Sequence, residues 1–295
     1  MSGVDPVGEP TLAGPQVNVI YSAPGFSVLH PDVVKEKTNT VEPIFNWGGI
    51  RIAKISPDIV VKHGTHVTVT EARSMLFVSQ NTTTVPVPKI FGCYTYGPID
   101  RDIEDYGSLY DTYIFMSFVE GRTLDTVWES YDGTTKQSVA DQLKGYIDEL
   151  RAITGGTYIG SVDRGVVMDP VLEYSKTRGP FDSEEDFNNA LIDAYEENAK
   201  RVHIRTFLTG MLSQNQHRTV FTHGDLRLQN ILVKDGKVTG IVDWEFSGWY
   251  PEYWEWARAL FVWQWQHDWT DYLPKVLQPY YLECMFHSFI AHAVW

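Results

Sequence analysis

Nine residues, 222–230, read THGDLRLQN and lie between the apolar stretches TVF and ILV. A loop that only had to turn the chain could be polar without gathering His223, Asp225, Arg227 and Asn230. The chemistry these types could do is specific. An amide oxygen and a carboxylate oxygen are hard donors suited to Mg²⁺ held with a polyphosphate. A second carboxylate a few ångströms away is free to take a proton from an incoming hydroxyl. Asn230 and Asp243 fit the first role and Asp225 fits the second. Asp243 is distant in sequence, but the turn KDGK at 234–237 folds its strand back beside the strand that follows Asn230. Taken singly, each of the three reads equally as a turn or cap residue; the ordered set is what carries the chemistry.

The elements that must position these groups follow from pattern. IRIAKISPDIVVK, 50–62, reads as two short strands around Ser56-Pro57-Asp58, alternating in the first arm and β-branched in the second. HVTVTEARSMLFVSQ reads as a helix carrying Glu71, Met75, Leu76 and Val78. TTTVPVPKIFGCYTYG is extended, because a residue before proline is pushed out of the helical region. LYDTYIFMSFVEG is a strand ending in the link Glu120-Gly121, and RTLDTVWESY a short helix. Val139, Leu143, Tyr146, Ile147 and Leu150 share one helical face. Ser183 caps a further helix with an acidic first turn, carrying Phe187, Leu191 and Ala194 in phase. The tail from Pro251 is helical and crowded with aromatics, including Trp249 just before it, Trp254, Trp256, Trp263, Trp265 and Trp269. The expected order is a partly ordered leader over 1–45, a strand-rich lobe over 46–119 and a mainly helical lobe over 120–295.

HGDLRLQN followed by IVDWE resembles the catalytic and metal-binding loops of the aminoglycoside phosphotransferase family. VVKHG, EARSMLFV, VPVPKIFG, FMSFVEGRTL, GPFDSEEDFNN and GWYPEYWEWA extend the resemblance from about Gly48 to Ala259 and are similar to its fungal-type branch. The resemblance implies an α+β, two-lobed, protein-kinase-like fold: a small antiparallel-sheet N-lobe and a larger helical C-lobe. It implies a kinase that moves the γ-phosphoryl group of ATP, or of GTP, to a hydroxyl of a small molecule. Asp225 is then the base, His223 buttresses its loop, and Asn230 and Asp243 hold Mg²⁺. Lys62 contacts the nucleotide phosphates and Glu71 pairs with it. Met116, Ser117, Phe118 and Val119 offer backbone to adenine. Such chemistry needs positioning and spread positive charge more than covalent participation.

Departures from the family wording sharpen the reading. No glycine-rich phosphate loop precedes Lys62, and Ser56 in the SPD turn is the candidate hydroxyl for the phosphates. LRLQ stands inside the catalytic loop, and Arg227 is a candidate contact for phosphate or for a carboxylate on the acceptor. DWE replaces DFG and no APE follows, which disfavours a protein acceptor. Trp249 and Trp256, with Glu252 and Glu255, are candidates to line a pocket for an amino-containing acceptor, although core packing is the common use of such tryptophans. The alternative reading is a kinase-like protein that binds nucleotide or metabolite without turnover.

The bulk composition agrees with a globular enzyme. The chain has 295 residues, 43% hydrophobic and 21% charged, with a formal net charge of −14. That charge disfavours nucleic acid and anionic membranes as partners. Two cysteines, Cys93 and Cys284, match no metal-ligand spacing and suit a reducing cytoplasm. His63 and His66 lack the companions a zinc site needs.

Overall fold

The computed structural model describes residues 14–199, 203–212, 217–260 and 267–294. Trp263, Trp265 and the first 13 positions of the expected leader lie outside these. Two compact units emerge. One runs to Val69 and resumes over Ile90–Met116; the other comprises Thr70–Lys89 and the chain from Ser117 onward.

The elements of the first part of the chain are strand β1 (Gln16–Ser22), helix α1 (Pro31–Asn39), strands β2 (Phe45–Trp47), β3 (Ile50–Ser56) and β4 (Ile59–Gly64), helix α2 (Val69–Asn81), strand β5 (Ile90–Gly97), the short helix α3 (Ile103–Tyr106) and strand β6 (Asp111–Ser117). The strands form one six-stranded sheet in the order β1-β5-β6-β4-β3-β2. β3 and β4 make the expected hairpin, with Ile52 opposite Lys62 and Ala53 opposite Val61. Val61, Tyr94, Tyr113 and Phe115 form a fully buried cluster with Val34 of α1. The stretch expected as a leader thus supplies an edge strand and a core helix. β1 joins β5 through backbone pairing, and its side chains are mostly exposed. Val17 of β1 packs against that cluster.

The second unit adds β7 (Arg122–Thr123), α4 (Gly133–Ala152), α5 (Glu184–Ala199), α6 (Arg205–Leu212), β8 (Thr219–Thr222), β9 (Ile231–Lys234), β10 (Lys237–Ile241), β11 (Gly248–Pro251), α7 (Trp254–Leu260), α8 (Trp269–Val276) and α9 (Tyr281–Val294). The amphipathic patterns produce the helices they suggest. Asp132 caps α4 by accepting from the Thr135 N–H at 2.7 Å, and Val139, Leu143, Ile147 and Leu150 are buried. Ser183 Oγ accepts from the Asp186 N–H at 3.1 Å, and α5 buries Phe187, Leu191 and Ala194. RTLDTVWESY departs from the expected helix. Arg122 and Thr123 pair with β9, and two 3₁₀ turns follow. Trp128 is fully buried there, its indole N–H donating to Asp268 at 2.8 Å. That anchor and the pairing together override the local helical pattern.

Helix α2 from Thr70 onward groups with the second unit. The bonds responsible are specific. Arg73 pairs with Asp163. Phe77 meets Phe221 at 5.0 Å and Trp249 at 5.9 Å between ring centroids. The Thr83 N–H donates to Glu149 at 2.5 Å. Among the described residues no helix is long and apolar enough to cross a membrane.

Candidate active site

β8 and β9 deliver the loop THGDLRLQN. β8 is held by β11, with Thr222 opposite Gly248. β9 pairs with β10 around Asp235 and Gly236, whose φ values of 51° and 73° make the tight turn that KDGK suggested. The loop between is built around His223, which is fully buried. Its Nε2 lies 3.0 Å from the Val242 carbonyl, and its Nδ1 accepts from the Asp225 N–H at 3.2 Å. Those two bonds assign the Nε2–H tautomer. His223 thereby ties the Asp225 backbone to the strand end that carries Asp243. Trp244 packs on its ring edge to face at 4.5 Å.

Gly224 has φ +83°, and a Cβ there would lie 2.5 Å from the Phe246 carbonyl oxygen. Only glycine combines that dihedral with that approach. Asp225 follows. Its backbone carbonyl accepts from the Arg227 N–H at 2.8 Å and from the Asn230 side-chain amide at 2.9 Å. The same amide donates to Asp225 Oδ2 at 2.7 Å. Asn230 is spent as a donor on Asp225, so its amide oxygen is the atom left to act as a ligand. A 3₁₀ turn, Leu228–Asn230, completes the loop. The Val242 N–H donates to the Asn230 carbonyl at 2.9 Å, which brings the end of the hairpin back beside the loop.

Asp243 takes left-handed geometry, φ 68° and ψ 62°, ahead of the turn Trp244–Phe246, and makes no side-chain cap bond to it. A non-glycine residue held in that region is uncommon and tends to mark functional loops. Carboxylate oxygens of Asp243, Glu71 and Glu245 lie within 4.8 Å of one another. Arg227 sends Nε to 3.0 Å from Asp225 Oδ2 and Nη2 to 3.9 Å from Asp243 Oδ2. The Nε contact lacks hydrogen-bond direction, so Arg227 acts there as a charge, not as a directed donor. All-oxygen donors around Asn230 and Asp243 fit a hard divalent cation.

The remaining candidates divide. Lys62 is buried on β4, 3% exposed, an unusual state for a lysine. Ser56 ends β3, opposite Ile59. Met116 is nearly buried at the end of β6. Ser117 exchanges bonds with Lys89, its N–H donating at 2.8 Å to the carbonyl and its Oγ accepting at 3.0 Å. Phe118 and Val119 follow, and Val119 covers Gly240, where a Cβ would meet it at 2.7 Å.

The four residues expected to line an acceptor pocket are held in contacts of their own. Trp249 and Trp256 are 3% and 2% exposed. Trp249 packs against Phe77 and Phe221, and Trp256 against Tyr281. Their rings fill the packing between elements, β11 against α2 and β8, and α7 against α9. Glu252 accepts two bonds from the Arg218 guanidinium, at 2.8 and 3.1 Å. Glu255 is fully buried and accepts from the backbone N–H groups of His223 at 2.7 Å and Gly224 at 3.1 Å. Burial pushes its carboxyl above the ordinary range, against the pull of His223 and those N–H groups.

Three participants were not read from the sequence. Glu245 stands two places after Asp243, and DWE was the available signal. Arg258 donates from Nε to the Gly224 carbonyl at 3.0 Å. Asp169, buried with its Oδ2 3.4 Å from Arg258 Nε, comes from a loop with no motif. Burial raises its carboxyl; Arg258 opposes the rise and the nearby Asp225 charge adds to it.

The sequence profile of the phosphotransferase enzyme family matches residues 67–283. No curated protein matches the chain by sequence. Solved structures do match in fold. A thermostable mutant of aminoglycoside phosphotransferase APH(4)-Ia, in ternary complex with AMP-PNP and hygromycin B, is 14% identical, with 88% of each chain covered and a TM-score of 0.58. ADP-bound aminoglycoside phosphotransferase APH(2'')-Ib is 12% identical, covering 90% of this chain and 85% of its own, with a TM-score of 0.55. A GDP complex of an aminoglycoside 2'-phosphotransferase is 14% identical, covering 87% and 83%, with a TM-score of 0.53. The fold is therefore the kinase-like fold of these enzymes, and the chain belongs to the phosphotransferase enzyme family.

Proposed function

We propose that this chain transfers the γ-phosphoryl group of ATP, or of GTP, to a hydroxyl group of a small molecule, with an amino-containing metabolite or aminoglycoside-like compound as the acceptor class. One observation carries the reading: a single loop and its hairpin partner present Asp225, Asn230 and Asp243 together, with Asn230 bonded to the Asp225 carboxylate at 2.7 Å.

In this reading the Asp225 carboxylate accepts the acceptor's hydroxyl proton as its oxygen bonds to the γ-phosphorus. The bond from that phosphorus to the bridging oxygen breaks, and the nucleoside diphosphate leaves with the electron pair. The Asn230 amide keeps the Asp225 carboxylate oriented. Mg²⁺ would be held by Asn230 through its amide oxygen and by Asp243; when bound it supplies positive charge against the phosphate oxygens. Lys62 steadies the nucleotide phosphates. Ser56 donates to phosphate from its turn, and backbone groups of Met116, Ser117, Phe118 and Val119 bond the adenine. Arg227 offers its guanidinium to the transferring phosphoryl group. Arginine suits that role, since its charge is permanent and its donors match phosphate geometry.

The net charge of −14 favours a cationic small acceptor over nucleic acid or an anionic membrane. The test is turnover of Mg²⁺–ATP and Mg²⁺–GTP against a panel of amino alcohols, amino sugars and aminoglycosides. Nucleotide-dependent phosphorylation that is lost in Asp225→Asn supports the reading. Nucleotide binding with no turnover on any acceptor replaces it with a binding function.

A further inference from the structure

His217 lies two residues before β8, and its side chain is only 7% exposed. Both ring nitrogens face carboxylates. Nδ1 is 2.8 Å from Oε1 of Glu184, the first residue of α5, and Nε2 is 3.6 Å from Oε1 of Glu283 on α9. The second oxygen of Glu184 accepts the His217 backbone N–H at 2.8 Å, so one carboxylate grips the residue twice. The side chains of Glu184 and Glu283 are themselves 16% and 5% exposed. Tyr253 and Tyr280 pack edge to face on the imidazole, at 4.9 and 5.3 Å between centroids. The Tyr253 hydroxyl is engaged elsewhere, donating to Asn188 Oδ1 at 2.9 Å. Glu252 adds further negative charge around the ring. The neighbouring Arg218 guanidinium turns to that carboxylate at 2.8 Å, and Arg151 donates to the Glu252 carbonyl at 3.1 Å.

An ionised carboxylate only accepts, so the bond to Glu184 places a hydrogen on Nδ1. A neutral ring would then turn its Nε2 lone pair toward the Glu283 carboxylate, in a place nearly closed to water. A ring that carries both hydrogens satisfies the two acids at once. We propose that His217 is a proton-operated tie between α5 and α9: as imidazolium it holds Glu283, and loss of its Nε2 proton releases α9 from the ring. The direction of titration agrees with that geometry. Burial works against the charged ring, but the Glu184 bond and the charges of Glu184, Glu283 and Glu252 outweigh it and hold the imidazole above its ordinary 6.5. A group raised on folding contributes stability that is complete below the ordinary value and declines as pH climbs through the folded one. Burial, followed by the same two acids, also pushes the Tyr253 phenol up. The tie stands apart from the phosphotransferase reading, since none of its groups belongs to the loop 222–230.

The test uses the full chain and two readouts. Amide exchange is followed in the peptide 281–294, with 137–150 of α4 as internal reference, from about pH 5.5 to about pH 8.5. Each rate is divided by the intrinsic chemical rate at that pH. The His217 ring is followed by NMR in ¹³C-histidine-labelled protein and identified by its loss in His217→Gln. The tie requires corrected exchange in 281–294 to quicken several-fold across this range in wild type, with 137–150 unchanged. Roughly tenfold accompanies each unit by which folding raises the ring. Glu283→Gln should erase that pH dependence and lower the midpoint of the ring, because a glutamine amide can donate to a neutral Nε2. If His217→Gln does not fold, wild type and Glu283→Gln decide the matter through the ring whose midpoint differs between them. Corrected exchange in 281–294 that does not change with pH, or that quickens equally in both peptides, overturns the tie. So does a ring midpoint at or below the ordinary value in wild type, or a pH dependence retained in Glu283→Gln.

Discussion

The hairpin β3–β4 and the loop 222–230 each present a charged side chain, and they hold it in different ways. Lys62 sits on a regular strand, its position set by the pairing of Ile52 with Lys62 and by neighbours two residues away. Asp225 sits on irregular backbone, held by the ring of His223, the amide of Asn230 and, through Gly224, by Glu255 and Arg258 of α7. The first arrangement distributes its stability over many interchangeable apolar contacts. The second concentrates it in a few directed bonds to buried polar groups, each with a full desolvation cost if its partner is removed. Substitutions in the hairpin should therefore trade stability, and substitutions around the loop should trade rate.

The largest effect belongs to the loop. Asp225→Asn should lower kcat by roughly 1000-fold or more while leaving nucleotide binding in place. Asp243→Ala should abolish the Mg²⁺-dependent part of nucleotide binding, read as loss of a thermal shift worth about 2.7 kcal/mol in wild type at 100 times Kd. Gly224→Ala sharpens the comparison. It meets both a φ of +83° and the Phe246 carbonyl, so stability should fall by about 1–3 kcal/mol with a larger proportional loss of kcat. On the hairpin side, Val61→Ala should cost about 2 kcal/mol in a denaturant titration by opening a cavity beside Tyr94 and Tyr113, with kcat nearly unchanged. A Val61→Ala enzyme that lost activity as steeply as Gly224→Ala, at matched stability, would break the contrast.

The smallest effect concerns the segment between α2 and β5. The Thr84 hydroxyl, joined by the N–H and hydroxyl of Thr83 and the N–H of Thr84 and opposed by burial, pulls the Glu149 carboxyl down to about 2 from 4.5. A lowered carboxyl contributes stability that is present above the ordinary range and lost as pH falls from about 4.5 toward about 2. Glu149→Gln should flatten that part of the stability–pH curve. The group is only half-buried, so the change should be small. An unaltered slope would show that the Thr83–Thr84 bonds do not persist in solution.

How legible each part was in the sequence follows from the same division. The β3–β4 hairpin, α4, α5 and the KDGK turn were readable because their patterns are local: alternation, helical phase, a capping serine, a residue pair tolerant of positive φ. The proximity of Asp225, Asn230 and Asp243 was readable because a tight hairpin converts separation in sequence into nearness in space. Glu255 and Arg258 were not, because a side chain that bonds backbone more than thirty residues away leaves no periodic trace; Asp169 was not, because its partner is a side chain distant in sequence. Glu255 and Glu252 were expected at an acceptor, Trp249 and Trp256 along its pocket. Residue type announces that charge or an aromatic ring is present, but not whether the backbone turns it inward. β1 escaped notice because it lies in the stretch read as a leader and most of its side chains stay exposed.

The most direct test of the central claim is transfer of label from γ-³²P-ATP to the acceptor panel, run side by side with wild type and Asp225→Asn, with nucleotide binding measured on both. The account expects labelled acceptor from wild type alone, while both proteins bind Mg²⁺–ATP. Equal transfer by Asp225→Asn, or none by a wild type that binds nucleotide, would contradict it.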